Sequence, residues 1–432
     1  MGRVSAASPA RPAVAAHGWV RALLVVLAGV IAMAVVAGLG LWAAGAADLP
    51  AGAFPRVVAA TLVTAVGGTV ELSGNAGGLA GSDAALDVVP LSVTLTGALV
   101  VAAGFLRPLR HRAVAGAAEL AGWAVRIAVL WVAALLALAF SARQTFTLSL
   151  GDLGQDALGD LGDLFGVSPQ VGFTTDVAAT VFSGLLWLAG VLVLALLVAR
   201  GAPLPGRLLR FQESVRPAAY AMVALLLACV VLGVVVGLVV AATRGHASET
   251  FAVILLGLPN LVWLALTIGL GATWNGRVEG PFGLPMPQVL DEVLRGRDVS
   301  AVNLGTLAEQ DGRWWWLVVA DAVLLLAAAF VAARRSPARV RPWQHAVRLA
   351  VALALTVLMI CLLGRISARY GVSVLGIGDL GGGLGGELFL RPEVGSALGL
   401  ALLWGLVTGF LGALAARRTR HRGEAPPRPH PG

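Results

Sequence analysis

The chain has 432 residues, is 58% hydrophobic and only 12% charged, and contains no lysine, so every one of its 31 basic residues is an arginine. The missing lysine excludes a Walker-type phosphate loop and Schiff-base chemistry. The formal charge of +8 does not point to nucleic acid, because the arginines flank apolar runs and are not interleaved with aromatics.

Several apolar runs exceed eighteen residues, enough to cross a ~30 Å hydrocarbon layer as helices. The expected fold class is all-α, a polytopic membrane helix bundle of about eight spans, with ten as the rival count. The N-terminal tail (1–19) precedes an apolar run, Ala22–Ala44, that is too long for a signal-peptide core. Predicted spans follow at 20–44, 88–106, 120–142, 177–199, 218–243, 314–333, 346–364 and 396–416. Basic clusters sit at 3–21, 107–112 ("RPLRHR"), 200–216, 334–341 and 417–422, whereas acids crowd the other connections. The positive-inside rule then places both termini and the basic clusters in the cytoplasm of a plasma-membrane protein.

That orientation demands an even number of crossings between successive basic clusters. Two further apolar segments, 55–72 and 250–272, break the parity and carry breaking residues, Gly67-Gly68 in one and Pro259 in the other. They read as broken or re-entrant segments, which membrane depth tolerates only under cover of protein or a wet cavity.

The two halves show ordered matches. "AVRIAV" (124–129) recurs as "AVRLAV" (346–351), "LLW" (185–187) recurs at 402–404, "GDLG" (151–154) recurs at 378–381, and 99–110 pairs with 324–335. The expected organisation is a cytoplasmic tail (1–19), a first membrane repeat (20–199), a basic cytoplasmic linker (200–217), a second repeat (218–416) and a basic, Pro-rich disordered tail (417–432). Four spans in each half make the copies parallel, related about an axis along the membrane normal.

Asp321 is the foremost candidate site residue. It lies seven residues past Trp314 in an apolar span, ~10 Å along a helix axis, where an acid is expensive and faces a bundle interior or a wet cavity. A proton or cation site is one reading, and an acid bonded to a neighbouring Ser, Thr or Trp is the other. The matching position in the first half is Thr96. Asn260 in "LPNLVW" (258–263) and Glu71 belong to the two broken segments. A half-helix end beside Asn260 suits an ion or anion, while a satisfied kink is the plainer reading for both.

Trp314, Trp315 and Trp316 read as an interfacial belt, and Arg126 and Arg348 read as snorkelling residues at the cytoplasmic start of a span. "GIGD" (376–379) matches the short pattern of intramembrane aspartyl proteases but lies in a glycine-rich loop. The four acids of 150–165 share one helical face opposite a leucine face, while four glycines oppose a helix there. The six histidines do not cluster at ligand spacing, and no HExxH, GxSxG or CxxC occurs. No metal, cofactor or catalytic residue is expected.

The chain length, the Ala/Val/Leu/Gly bias, the Arg-only basic loops and the segment "LPNLVW…GATWNG" (258–276) resemble the streptophobe family of very hydrophobic actinobacterial membrane proteins. The layout is more faintly similar to PerM-like membrane proteins of cell division, which implies an envelope role. The streptophobe resemblance implies no assigned activity. The expected function is therefore a non-enzymatic envelope or scaffold protein, in contact with the lipid bilayer and with other membrane proteins or itself, and with no nucleic acid. The alternatives are a transporter or channel using Asp321 and the segments 55–72 and 250–272, and more distantly an intramembrane aspartyl hydrolase.

Overall fold

The structure is a computed structural model that describes residues 11–49, 52–76, 80–109, 117–147, 170–199, 206–278, 300–337, 340–374 and 386–421. In chain order the first half contains α1 (Arg11–Ala43), α2 (Ala53–Ala65), β1 (Val70–Ala76), β2 (Ala80–Asp87), α3 (Leu91–Leu106), α4 (Ala117–Ser141), β3 (Gln144–Thr147), β4 (Gln170–Thr175) and α5 (Val177–Val198). The second half contains α6 (Gly206–Arg244), α7 (Ala247–Leu256), α8 (Leu258–Gly269), β5 (Trp274–Val278), β6 (Ser300–Val302), α9 (Leu304–Gln310), α10 (Trp316–Arg335), α11 (Pro342–Leu363), β7 (Ile366–Val374), β8 (Gly386–Pro392) and α12 (Val394–His421). The stretches 150–165 and 376–379, and with them both copies of "GDLG", lie outside the described residues.

Apolar runs become helices because a helix satisfies its backbone polar groups internally, as lipid requires. Among the described residues seven helices are long and apolar enough to cross a membrane: α1, α4, α5, α6, α10, α11 and α12. The chain is a multi-span helical membrane protein. The remaining predicted span, 88–106, is α3, whose 16 residues make it about 24 Å long. It runs antiparallel along α1, where a methyl group added at Gly97 would meet Met33 Sδ at 2.5 Å and one at Gly104 would meet Val25 Cγ2 at 2.8 Å. The linker expected at 200–217 is in large part the start of α6, which continues through Pro217.

The two parity-breaking segments are broken as expected. The first is α2, only 13 residues long. The second is the pair α7 and α8, bent by 76° at Gly257. Both short helices end in the same way. At α2 the Gly68 N–H bonds to Val63 O (2.9 Å) and the Gly67 N–H to Thr64 O (3.0 Å). At α8 the Ala272 N–H bonds to Thr267 O (2.9 Å) and the Gly271 N–H to Ile268 O (2.8 Å). This six-to-one and five-to-two pattern is a Schellman cap. It needs a left-handed residue, and the glycines supply it with φ of 84° at Gly67 and 97° at Gly271. Each cap releases a strand three residues later, at Val70 and at Trp274.

Among the described residues eight strands form one antiparallel sheet at this end of the bundle, in the order β3-β4-β1-β2-β7-β8-β5-β6. The sheet is an addition to the expected helical bundle: the connections that carry the acids contain its strands. Each half supplies two adjacent strand pairs in the same order, and β2 joins β7 at the seam from Ala80↔Val374 to Asp87↔Ser367. One face lies on the helices. Trp274, Gly276 and Val278 are buried and alternate with Asn275 and Arg277, and Leu388, Leu390 and Ala368 are buried on the neighbouring strands. The other face carries exposed Glu71, Asp87, Thr174, Arg369 and Arg391. The Arg-rich connections lie at the opposite helix ends, since α3, α5, α10 and α12 run away from the sheet and α4 and α11 return to it.

Each half has its own apolar core. Val26, Met33, Phe105, Ile127, Trp131, Leu135 and Leu188 fill the first. Leu225, Trp263, Leu266, Leu325, Leu353 and Val357 belong to the second. α11 lies close on α12, where Gly409 faces Ala346 so closely that a methyl group would come within 2.8 Å of its Cα. Small residues of this kind let helices approach where lipid gives no hydrophobic push.

Candidate functional site

Asp321 is on α10 and only 4% exposed. It packs on Gly269, the last residue of α8, and a methyl group at Gly269 would collide with its carboxylate Oδ2. That oxygen has no hydrogen-bond partner among the described residues. Its surroundings are apolar, with Leu266, Ile268, Leu270 and Leu325 all buried. Cys229 of α6 lies near enough to interact with it electrostatically.

The helix end beside Asp321 is otherwise well satisfied. Beyond the Schellman cap, Trp404 Nε1 of α12 donates to Leu270 O at 3.1 Å. Trp274 Nε1 donates to Thr267 Oγ1 at 2.9 Å, and that hydroxyl donates onward to Leu264 O at 2.8 Å. The first half solves the same junction differently. There Thr94 of α3 donates its hydroxyl to Ala65 O, at the last residue of α2, at 2.6 Å. Ala65 and Gly269 each stand two residues before the left-handed capping glycine, so Thr94 and Asp321 make corresponding contacts. Thr96, the match expected from the sequence, bonds within its own helix to Ser92 O at 2.8 Å.

Asn260 is fully engaged elsewhere. Its Nδ2 donates to Val89 O at 2.9 Å and its Oδ1 accepts from the Leu91 N–H at 3.1 Å. The carboxamide thus bridges Pro90, which has no N–H of its own, and ties α8 of the second half to the start of α3 in the first. Ser92 adds a bond to Ile254 O of α7 at 2.9 Å. Asn260 and Gly269 are nine residues apart, about 13 Å along α8, so Asn260 and Asp321 stand at opposite ends of that helix. Glu71 is exposed on β1, opposite Ala85 and Thr174. The structure therefore does not gather Asp321, Asn260 and Glu71 around one cavity.

The other described sequence candidates lie away from this junction. Trp315 and Trp316 are 57% and 71% exposed near the start of α10. The Arg126 guanidinium lies against α1, where a methyl group at Gly18 would meet Nη1 at 3.1 Å. Among the described residues no three His, Cys, Asp or Glu side chains gather as a metal site. Thr94, Gly269, Thr267 and Trp404 escaped the sequence reading. The repeated spacing of "VGGTV" (66–70) and "LGATW" (270–274), each with a glycine at a helix end three residues before a strand, marks the junction at Thr267 and Gly269, whereas Thr94 and Trp404 lie on other helices and carry no local signal.

Comparison with protein-family models, with curated proteins and with solved structures returned no match.

Proposed function

We propose that the chain is a non-enzymatic scaffold of the cell envelope, a plasma-membrane protein with both termini in the cytoplasm that presents its eight-stranded sheet on the outer side. The observation that carries this reading is the continuous sheet joined at β2–β7 across the two halves. Its inner face is spent on the bundle, while its outer face offers backbone-ordered charges of both signs at Glu71, Asp87, Arg369 and Arg391. Such a rigid, polar platform suits a protein partner. The same order of strand pairs in each half, the matching Schellman caps and the helices holding the repeated sequence segments support a duplicated ancestor. The streptophobe resemblance fits this reading and adds no activity to it.

Asp321 favours a second reading, a transporter, because intramembrane acids and the ends of broken helices recur at the ion sites of carriers, and its Oδ2, packed against the end of α8, has no donor among the described residues. One pair of measurements separates the two. A photo-crosslinking residue at Glu71 is expected to give a discrete protein adduct in cells, and the same residue at lipid-facing Val129 none. Proteoliposomes that dissipate a proton or sodium gradient, and cease to do so in D321N, would establish the transporter instead.

A further inference from the structure

Each half contributes its strands to the sheet in the same order, β3-β4-β1-β2 from the first and β7-β8-β5-β6 from the second. β2 therefore meets β7, which holds in the second half the place that β3 holds in the first. The seam joins two different edges and not one edge to itself, so it is a heterologous contact. It uses one edge of each half. The other two edges, β3 and β6, are the outermost strands among the described residues.

The ladders fix which residues correspond. Val70 and Trp274 each stand three residues past a capping glycine. Val70 pairs with Leu86 and Trp274 with Val302, so Val302 holds the place of Leu86 and Ala301 that of Ala85. On their other side Val70 pairs with Thr175 and Trp274 with Pro392. Two residues earlier on those strands, Phe173 pairs with Gln144 and Leu390 with Ile366. Phe146 thus holds the place of Ala368, and Thr147 that of Arg369. At the seam Ala85 lies opposite Arg369 and Leu86 opposite Ala368.

The two outer strands are short, four residues in β3 and three in β6. Neither QTFT nor SAV contains a charged residue or a proline, the side chains that commonly blunt an edge. The membrane permits the pattern to continue. In both halves helices leave the sheet in the same direction, α3 and α5 in the first and α10 and α12 in the second. A further copy added at β6 as the second half is added at β2 has the orientation that a neighbour in one bilayer must have.

We infer that the chain associates head to tail with further copies of itself, β6 of one copy pairing with β3 of the next as β2 pairs with β7. The register sets Ala301 of one copy opposite Thr147 of the next, and Val302 opposite Phe146. So short a ladder suits copies already aligned and concentrated in one membrane. Repeated, a heterologous contact builds a ring or an open row. The contact goes beyond the scaffold reading and leaves the outer face of the sheet free, so crosslinking at Glu71 and edge pairing can fail separately.

Disulfide trapping tests it in membranes of cells that express two differently tagged full chains, both C229A/C361A. Directly opposed strand residues have Cα atoms about 4.5–5.5 Å apart, within the ~4.4–6.8 Å span of a disulfide. Oxidation is expected to join T147C chains to A301C chains at least fivefold more than it joins T147C to T147C or A301C to A301C. T174C, one strand further in, is expected to join A301C no more than those same-site pairs do. Energy transfer between fluorescent-protein fusions in phosphatidylglycerol vesicles gives a second reading. T147K/A301K sets like charges opposite each other at every contact and is expected to lower transfer at least threefold. T147K/A301E sets opposite charges there and is expected to restore transfer to within twofold of wild type, which separates lost pairing from lost folding. Equal trapping of the same-site pairs means an edge that pairs with itself, and it overturns the proposal. Absent trapping of the mixed pair, a bridge formed within one chain carrying both cysteines, or transfer unchanged by T147K/A301K overturns it too.

Discussion

Asp321 on α10 and Gly269 at the end of α8 touch so closely that only a hydrogen fits where a side chain would begin. The contact locks the broken helix of the second half to a spanning helix, with a glycine chosen for space and not for backbone freedom. Gly269→Ala is therefore expected to destabilise the protein by about 1–3 kcal/mol, the usual cost of overpacking. In a D321A background the methyl group meets only the Leu317 backbone O, at 3.3 Å, so the same substitution is expected to cost clearly less than in wild type. A double-mutant cycle on unfolding in mixed detergent reads the difference. Equal costs in both backgrounds would dissolve the coupling.

The capping glycines, two residues beyond Ala65 and Gly269, differ in kind. Gly67 and Gly271 have positive φ, and a methyl group there meets only ordinary contacts, Ser183 Cβ at 3.4 Å and Leu400 Cδ1 at 3.5 Å. Substitution by alanine then strains the backbone alone, at about 1–2 kcal/mol. The Gly67→Ala and Gly271→Ala variants are expected to lower the thermal midpoint by similar amounts, and Gly67→Asn to lower it less, because asparagine tolerates the left-handed region. Asparagine and alanine acting alike at residue 67 would speak against the cap.

Asn260 makes the sharpest link between the halves. Asn260→Ala removes a donor and an acceptor together and leaves Val89 O and the Leu91 N–H without it, a loss of about 1–3 kcal/mol. Asn260→Asp keeps the acceptor for Leu91 but sets a second acceptor against Val89 O, so it is expected to be at least as costly as alanine. Thermal unfolding of the two variants beside wild type checks the order. A harmless aspartate would show that the carboxamide does not face Val89 as described.

The legible and the hidden parts of this fold follow from the strength of their signals. Each apolar run of span length became a helix, since twenty consecutive oily residues leave little alternative in lipid. The parity of basic loops was enough to mark 55–72 and 250–272 as broken. The sheet was hidden because β3, β5 and β6 are only three to five residues long and β1, β2 and β8 are poor in the β-branched and aromatic residues that announce a strand. β1 reads VELSGNA and β2 reads AGSDAALD, with glycine and aspartate where a strand is least expected. Only ISARYGVSV on β7 alternates clearly enough to have been read. At the candidate site the acid was legible as an expensive residue, but its neighbour was not. Gly269 lies 52 positions away, and nothing in a single sequence says which of 55 glycines a buried carboxyl group will press upon.

Orientation gives the last test. In the proposed orientation the arginine clusters, at the end away from the sheet, stay in the cytoplasm and the sheet faces outward. Both native cysteines are buried, so a C229A/C361A background is a clean reporter. Thr174 on β4 and Arg341 just before α11 are both exposed. In intact cells T174C is expected to react with a membrane-impermeant maleimide, and R341C to react only after permeabilisation. The two sites lie at opposite ends of the bundle, so they report in opposite senses and one cannot be explained away by poor reactivity. Labelling of R341C from outside, with T174C protected, would turn the molecule over and put the sheet in the cytoplasm.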